Sequence, residues 1–316
     1  MRYGAFLPEN GTIGFVAPSF GCATEPYRTA FESALCKLRG MGYQTELGPN
    51  CYKECGIGIS NTPELCAKEL EEYYCADTND VLISCGGGEL MCEILPHLDF
   101  EKIASAPAKW YMGYSDNTNF TFLLPTLCDT ATLYGPCAGA FGMEPWHESI
   151  RDALEVLPGE RDTVSGYELF ELESEKDEQN PTAPYHLTEK RVLFGEDVKI
   201  RGRLLGGCLD CLTNLVGTPF DQVRAFCQRY REDGVIWFLE ACDLNVFSIR
   251  RALWQLREAG WFKNARGFLI GRPMHFDEPM MGLDRHEAVS GILGELHAPI
   301  LMDLDIGHLP PMMPLI

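Results

Sequence analysis

The chemistry in this chain starts at Gly113-Tyr114-Ser115-Asp116, where an apolar run gives way to a helical pattern. A strand that turns tightly into a helix strains the turn residue. It also thrusts that side chain off the carboxyl edge of the sheet, the placement an exposed serine nucleophile needs. Gly113 leaves room for the turn, while Asn117 stands where the second Gly of G-x-S-x-G belongs. On these residues alone, a helix-capping Ser and a nucleophile read equally well.

A serine nucleophile needs a base, and the base needs an orienting acid. The seven histidines are His97, His147, His186, His275, His286, His297 and His308. Only His275 and His308 fall just past an expected strand, the edge where parallel α/β sheets place their sites. His308 closes PILMDLDIGH, with Gly307 letting the chain turn, and Glu240 closes VIWFLE. A carboxylate ending a strand that is apolar on both faces is costly to bury without a partner. Ser115, Glu240 and His308 at three strand ends therefore count for more together than singly. A base of this kind predicts a rate that rises through roughly pH 6–7, as a free imidazole loses its proton.

Other chemistries fit less well. Gly86-Gly87-Gly88 follows a strand where phosphate loops sit, but no Lys-Ser/Thr follows, and Met91 occupies the third position of G-x-G-x-x-G. Bare amides at such a turn suit an oxyanion better. The 14 cysteines include one CxxC (Cys208, Cys211) and one CxxxC (Cys51, Cys55), with no second tight pair at zinc-ligand spacing. They read mostly as small buried residues in a reducing compartment. A metallohydrolase built on His275, Asp277 and His308 is a weaker alternative.

The elements that must position these residues alternate. Strands are expected at 12–17, 43–47, 81–85, 109–113 and 131–134, and again at 235–239, 268–271 and 300–304. Between them lie helical patterns: Phe31, Ala34, Leu35 and Leu38; a start at Thr62-Pro63-Glu64 with the Thr hydroxyl as cap; a helix that follows Tyr114-Ser115-Asp116 and runs through Leu124; and one capped by Asn245. Such alternation implies right-handed crossovers and mainly parallel sheets in two α/β lobes. The acidic, aperiodic 172–185 stretch reads as a solvated connection or a mobile loop beside a site. The expected division is 1–150, a connecting segment 151–190, and 191–316.

Composition narrows the function classes. The chain has 316 residues, 46% of them hydrophobic and 23% charged, enough to bury a sizeable core without staples. Its 26 basic and 46 acidic residues give a formal net charge of −20. That field repels phosphate backbones and anionic lipid heads, so no nucleic-acid partner and no membrane partner is expected. No apolar run approaches the roughly 20 residues that span a bilayer, and the N-terminus lacks a signal peptide's apolar region. A soluble, cytoplasmic protein is the expectation.

Taken in order along the chain, Gly86-Gly87, GYSD around Ser115, RLLGG at 203–207, FLE at 238–240, SIRRALWQLREAGWF and DIGHLPP resemble the LD-carboxypeptidase family of serine peptidases. The resemblance implies a flavodoxin-like N-terminal lobe carrying Ser, and a C-terminal lobe of swivelling-barrel type carrying Glu and His. It implies Ser115 as nucleophile, His308 as base, Glu240 as orienting carboxylate, and the amides of Gly87 and Asp116 as oxyanion hole. No cofactor and no metal is implied, and a homodimer is. Two departures stand out. The family often has Asn where Cys208 stands, and it usually continues past the closing Pro-rich turn.

The implied substrate is a peptide-like amide near a free carboxyl terminus, such as the L,D bond of a murein tetrapeptide. Arg28, Arg201, Arg203 or Arg272 would bind its carboxylate. The alternative is a peptidyl- or aminoacyl-nucleotide antibiotic, as in the microcin-immunity branch, with Trp146 or Tyr185 stacking the base. From another class, the fold could serve as a non-catalytic α/β binding protein.

Overall fold

The short apolar runs of the N-terminal half are strands, and the amphipathic stretches between them are helices. In the computed structural model, which describes residues 1–56 and 58–316, they run β1 (Thr12–Val16), α1 (Tyr27–Gly40), β2 (Gln44–Leu47), α2 (Pro63–Cys75), β3 (Val81–Ser84), α3 (Phe100–Ser105), β4 (Trp110–Gly113), α4 (Thr118–Thr121), α5 (Leu123–Cys128), β5 (Leu133–Tyr134) and α6 (Glu148–Val156). Helix α1 buries Ala30, Phe31, Ala34, Leu35 and Leu38 on one face and ends with Lys37 and Arg39 near the negative end of its dipole. Helix α2 starts on Pro63, as expected, but the Thr62 side chain makes no capping bond.

The strands pair in parallel in the order β2-β1-β3-β4-β5. This is the flavodoxin-like order. Phe15, Ile83, Met112 and Leu133 from the sheet pack with Phe31 of α1 and with Ile150 and Ala153 of α6 in one buried cluster. These elements belong to a first compact unit: Met1–Ser165, Glu173–Leu187 and Met313–Ile316.

The helix expected after Tyr114-Ser115-Asp116 and through Leu124 is divided in two. A short 3₁₀ turn, Ser115–Asn117, leads into α4, and α5 starts afresh at Leu123. Pro125 is the cause, since it has no N–H to donate to the Thr121 carbonyl. The Thr132 hydroxyl fills that place, donating to the same oxygen at 2.8 Å.

The second unit comprises Gly166–Leu172 and Thr188–Met312. It holds β6 (Leu169–Phe170) antiparallel to β7 (Glu189–Lys190), then β8 (Arg203–Cys208), α7 (Leu209–Leu215), α8 (Val223–Arg229), β9 (Val235–Glu240), α9 (Val246–Glu258), β10 (Ala265–Gly271), α10 (Arg285–Leu293) and β11 (Ile300–Leu304). Strands β8 to β11 form a parallel sheet in the order β11-β10-β9-β8. Asn245 caps α9 as expected, its side chain accepting from Ser248 N–H at 3.0 Å. Trp237, Phe262 and Phe268 meet edge to face with ring centroids 5.1–5.2 Å apart, and Trp261 stacks on Trp237. Both units are α/β with parallel sheets, as the alternation of elements requires. Among the described residues, no helix is long and apolar enough to cross a membrane.

Candidate active site

Ser115 lies just past β4 with φ of 62°, in the left-handed region that costs a side-chain-bearing residue about 1–3 kcal/mol. Such strain persists only where the surroundings over-determine it, and here they do. The Asp116 carboxylate is buried and accepts from the Met91 N–H at 2.8 Å, the Asn119 amide at 3.0 Å and the Ser19 hydroxyl. The Asn117 amide donates to the Gly86 carbonyl at 2.8 Å and to the Tyr114 carbonyl at 3.1 Å, while Tyr111 donates its hydroxyl to the Asn117 oxygen. Asn117 thus stitches the Ser115 turn to the glycine loop after β3. Its presence also explains Gly113, where a Cβ would stand 2.8 Å from the Asn117 side chain.

Gly87 presses against the serine: a Cβ there would lie 3.1 Å from both Cβ and Oγ of Ser115. Its carbonyl accepts from the Phe20 N–H at 2.8 Å, which fixes the peptide. The Ser115 N–H donates to the Tyr134 hydroxyl at 3.2 Å. The first unit therefore brings together Ser115, Asp116 and Gly87.

In the second unit, Glu240 ends β9 fully buried, and its Oε2 lies 2.8 Å from His308 Nδ1. The run PILMDLDIGH predicts a strand closed by His308, but the strand ends before it. Strand β11 stops at Leu304, and the chain turns at Gly307 before reaching the histidine. Gly307 has φ of 98°, and a Cβ on it would stand 2.6 Å from Glu240 Oε2, so only glycine lets the imidazole approach the carboxylate. Burial pulls the His308 pKa down, but the Glu240 charge and hydrogen bonds to Cys242 and Glu240 outweigh it. The result lies well above the ordinary 6.5.

Two further carboxylates, Asp305 and Asp210, hold this edge. Asp305 is fully buried, accepts from Tyr167 N–H at 2.8 Å and Arg191 at 3.1 Å, and forms an ion pair with Arg272 at 2.6 Å. Arg272 also donates to the carbonyls of Asp303 and Leu309, which bracket the turn carrying His308. Asp210 accepts from the N–H groups of Cys242 at 3.1 Å and Asp243 at 2.9 Å, fixing the loop after Glu240. For Asp305 the sequence carries a signal: a carboxylate at the end of an apolar run, the same argument applied to Glu240.

Arg272 is therefore committed inside the protein, and Arg203 pairs with Asp233 at 2.7 Å over the Tyr230 ring. Arg28, beside Glu32, and Arg201 are exposed. Trp146 and Tyr185 pack against the first unit's core, Trp146 donating to the Phe141 carbonyl and Tyr185 against His147. His275 pairs with Glu278 at 2.9 Å, and Asp277 is exposed. The set His275, Asp277 and His308 is not assembled. Among the described residues, the one group of three metal-ligating side chains within reach of one another is Cys208, Glu240 and His308. Nine of the fourteen cysteines are buried.

Residues 13–135 match the LD-carboxypeptidase N-terminal domain and residues 201–316 the LD-carboxypeptidase C-terminal domain. The chain is 26% identical over 309 residues to the "Probable murein peptide carboxypeptidase" of Bacillus subtilis, covering 96% of this chain and 86% of the relative. It is 25% identical over 316 residues to the microcin C7 self-immunity protein MccF of Escherichia coli, covering 98% and 89%. The wild-type apo structure of MccF superposes with a TM-score of 0.82 at 24% identity, over 99% of this chain and 92% of that one. MccF has also been solved with aspartyl sulfamoyl adenosine and with glutamyl sulfamoyl guanosine. With both of the family's domains matched in order, and a serine on a strained turn in the first of them, this chain belongs to the LD-carboxypeptidase family of serine peptidases.

Proposed function

We propose that the chain hydrolyses a peptide-like amide bond next to a free carboxyl terminus, through an acyl-enzyme on Ser115. His308 takes the Ser115 proton as Oγ attacks the scissile carbonyl, then gives it to the leaving amine. Water repeats the sequence in reverse roles and releases the acyl group. Glu240 holds one imidazole tautomer and stabilises the imidazolium. The amides of Gly87 and Asp116 receive the oxyanion, where a single donor is worth on the order of 10²–10³ in rate. The observation that carries this reading is the left-handed backbone at Ser115. A capping serine has no use for that conformation, since an N-cap takes extended φ/ψ. Of the four arginines considered for the substrate carboxylate, Arg28 and Arg201 are the exposed ones.

A fluorophosphonate probe tests the nucleophile: it is expected to label the wild type and spare Ser115→Ala. Labelling that survives in Ser115→Ala removes Ser115 from the reaction. The second reading, hydrolysis of a peptidyl- or aminoacyl-nucleotide, is supported by likeness to MccF along nearly the whole chain. Mass spectrometry of products from a panel of L,D-peptides and aminoacyl-nucleotides separates the two. Release of a terminal D-residue supports the first reading, and release of the nucleotide moiety the second.

A further inference from the structure

We propose that Cys208, Glu240 and His308 form a site for a thiophilic divalent cation of the zinc type, and that its occupancy silences the Glu240–His308 pair. The Cys208 sulfur, a Glu240 carboxylate oxygen and a His308 ring nitrogen all lie within 4.8 Å of one another. Zinc bonds of roughly 2.0–2.3 Å place neighbouring ligand atoms about 3.3–3.7 Å apart, so small side-chain rotations close the set around a cation. Two ligands stand on rigid elements. Cys208 and Glu240 are register partners at the ends of adjacent parallel strands β8 and β9. The supporting contacts are present as well. Cys208 Sγ lies 3.3 Å from Asp210 Oδ2, the oxygen that also accepts the Cys242 N–H.

The donor set decides which cation. Thiolate and imidazole favour zinc and its softer neighbours, whereas magnesium and calcium want oxygen alone. Cys242, hydrogen-bonded to His308 and partly exposed, offers a second sulfur as fourth ligand and a route in from solvent. Coordination forms metal–sulfur, metal–oxygen and metal–nitrogen bonds and releases two protons to water, one from the Cys208 thiol and one from the His308 imidazolium. A neutral imidazole has one basic nitrogen. Once a cation holds it, none is left to accept a proton from a serine. The silencing rests on the reading of His308 as base; the binding does not.

The test loads the chelator-treated full chain with cobalt(II), then with zinc(II). One cation per chain is expected. The cobalt form should show a thiolate-to-metal charge-transfer band with the intense visible bands of four-coordinate cobalt. Zinc should stop hydrolysis, and chelator should restore it. Cys208→Ser, shown folded by circular dichroism, should lose most of the charge-transfer band and need at least ten-fold more zinc for half-inhibition. If Cys242 supplies the residual band, Cys208→Ser/Cys242→Ser abolishes it. Absence of stoichiometric binding in the wild type, or an undiminished band in Cys208→Ser, overturns the site whether or not His308 is the base. A thiolate band with undiminished hydrolysis overturns the silencing. Activity surviving in metal-free His308→Ala then assigns that failure to the reading of His308 rather than to the site.

Discussion

On the proposed role of Ser115 two demands oppose each other: a nucleophile must project from a tight turn, and the backbone that projects it is strained. Ser115→Ala keeps the strain and loses the hydroxyl. It should melt close to wild type, while its rate falls at least about a thousand-fold, leaving only binding and oxyanion effects. Ser115→Gly relieves the strain and should melt above Ser115→Ala; a lower melting temperature for the glycine variant would argue that φ here is cost-free. For His308, only the neutral ring accepts a proton, so rate rises with pH through the folded-state pKa. That value is raised, so the limb in metal-free enzyme is expected above 6.5 instead of through the free-imidazole range. Glu240→Gln removes the attraction that raises it. The limb should move down in pH, and the maximal rate should fall on the order of 10⁴-fold. The same ion pair stabilises the fold fully at pH below the unfolded imidazole value, and that contribution fades as pH climbs through the raised one. A Glu240→Gln variant with lowered stability but an unmoved limb and full rate would leave Glu240 merely structural. Ser115 and Glu240 were legible as candidates because each follows an apolar run, and His308 was legible from Gly307 and the run before it, although β11 stops at Leu304. The Asp116 carboxylate's role was not, because its partner Ser19 lies 97 residues earlier and no spacing announces it.

The strand ends are held by elements whose charges meet only in the folded unit. Asp305, just past β11, faces Arg272, just past β10, and both are essentially without solvent. Burial pulls the Arg272 pKa down and Asp305 opposes it, so the pair depends on both partners. Asp305→Ala leaves a guanidinium buried and uncompensated, which costs about 3–5 kcal/mol. Denaturant melts should show that loss. Because Arg272 also grips the carbonyls of Asp303 and Leu309, kcat should fall with it while the substrate's KM changes little. Replacing both residues with apolar ones of similar volume should recover much of the stability but not the rate. Full activity in the double variant would mean that the clamp does not position His308. At this scale the alternation of strands and helices was readable from apolar periodicity. The break between α4 and α5 was less so, although Pro125 stood in plain view, because a lone proline predicts a kink without saying which group replaces the lost donor.

Across the whole molecule, chain order and spatial order part company. Residues 173–187 and 313–316 belong to the first unit although the second unit's sequence lies between them. Neither carries periodicity, so the sequence shows no sign of where they pack. The last segment has a definite task there. Leu315 exchanges both backbone hydrogen bonds with Tyr134, at 2.8 and 2.9 Å, and its side chain is buried. Tyr134 is the residue whose hydroxyl accepts the Ser115 N–H. Leu315→Asp keeps the backbone pairing possible but exchanges about 1.5–3 kcal/mol of apolar burial for a carboxylate with no partner of opposite charge in that bridge. The expected outcome is local. Hydrogen exchange should speed up at β5 and around Ser115, and the rate should drop, while the amides of β9 keep their protection. Leu315→Met, of similar volume, should leave both unchanged. Protection lost equally in β5 and β9 would mean that the bridge supports the entire chain rather than the turn that carries the serine.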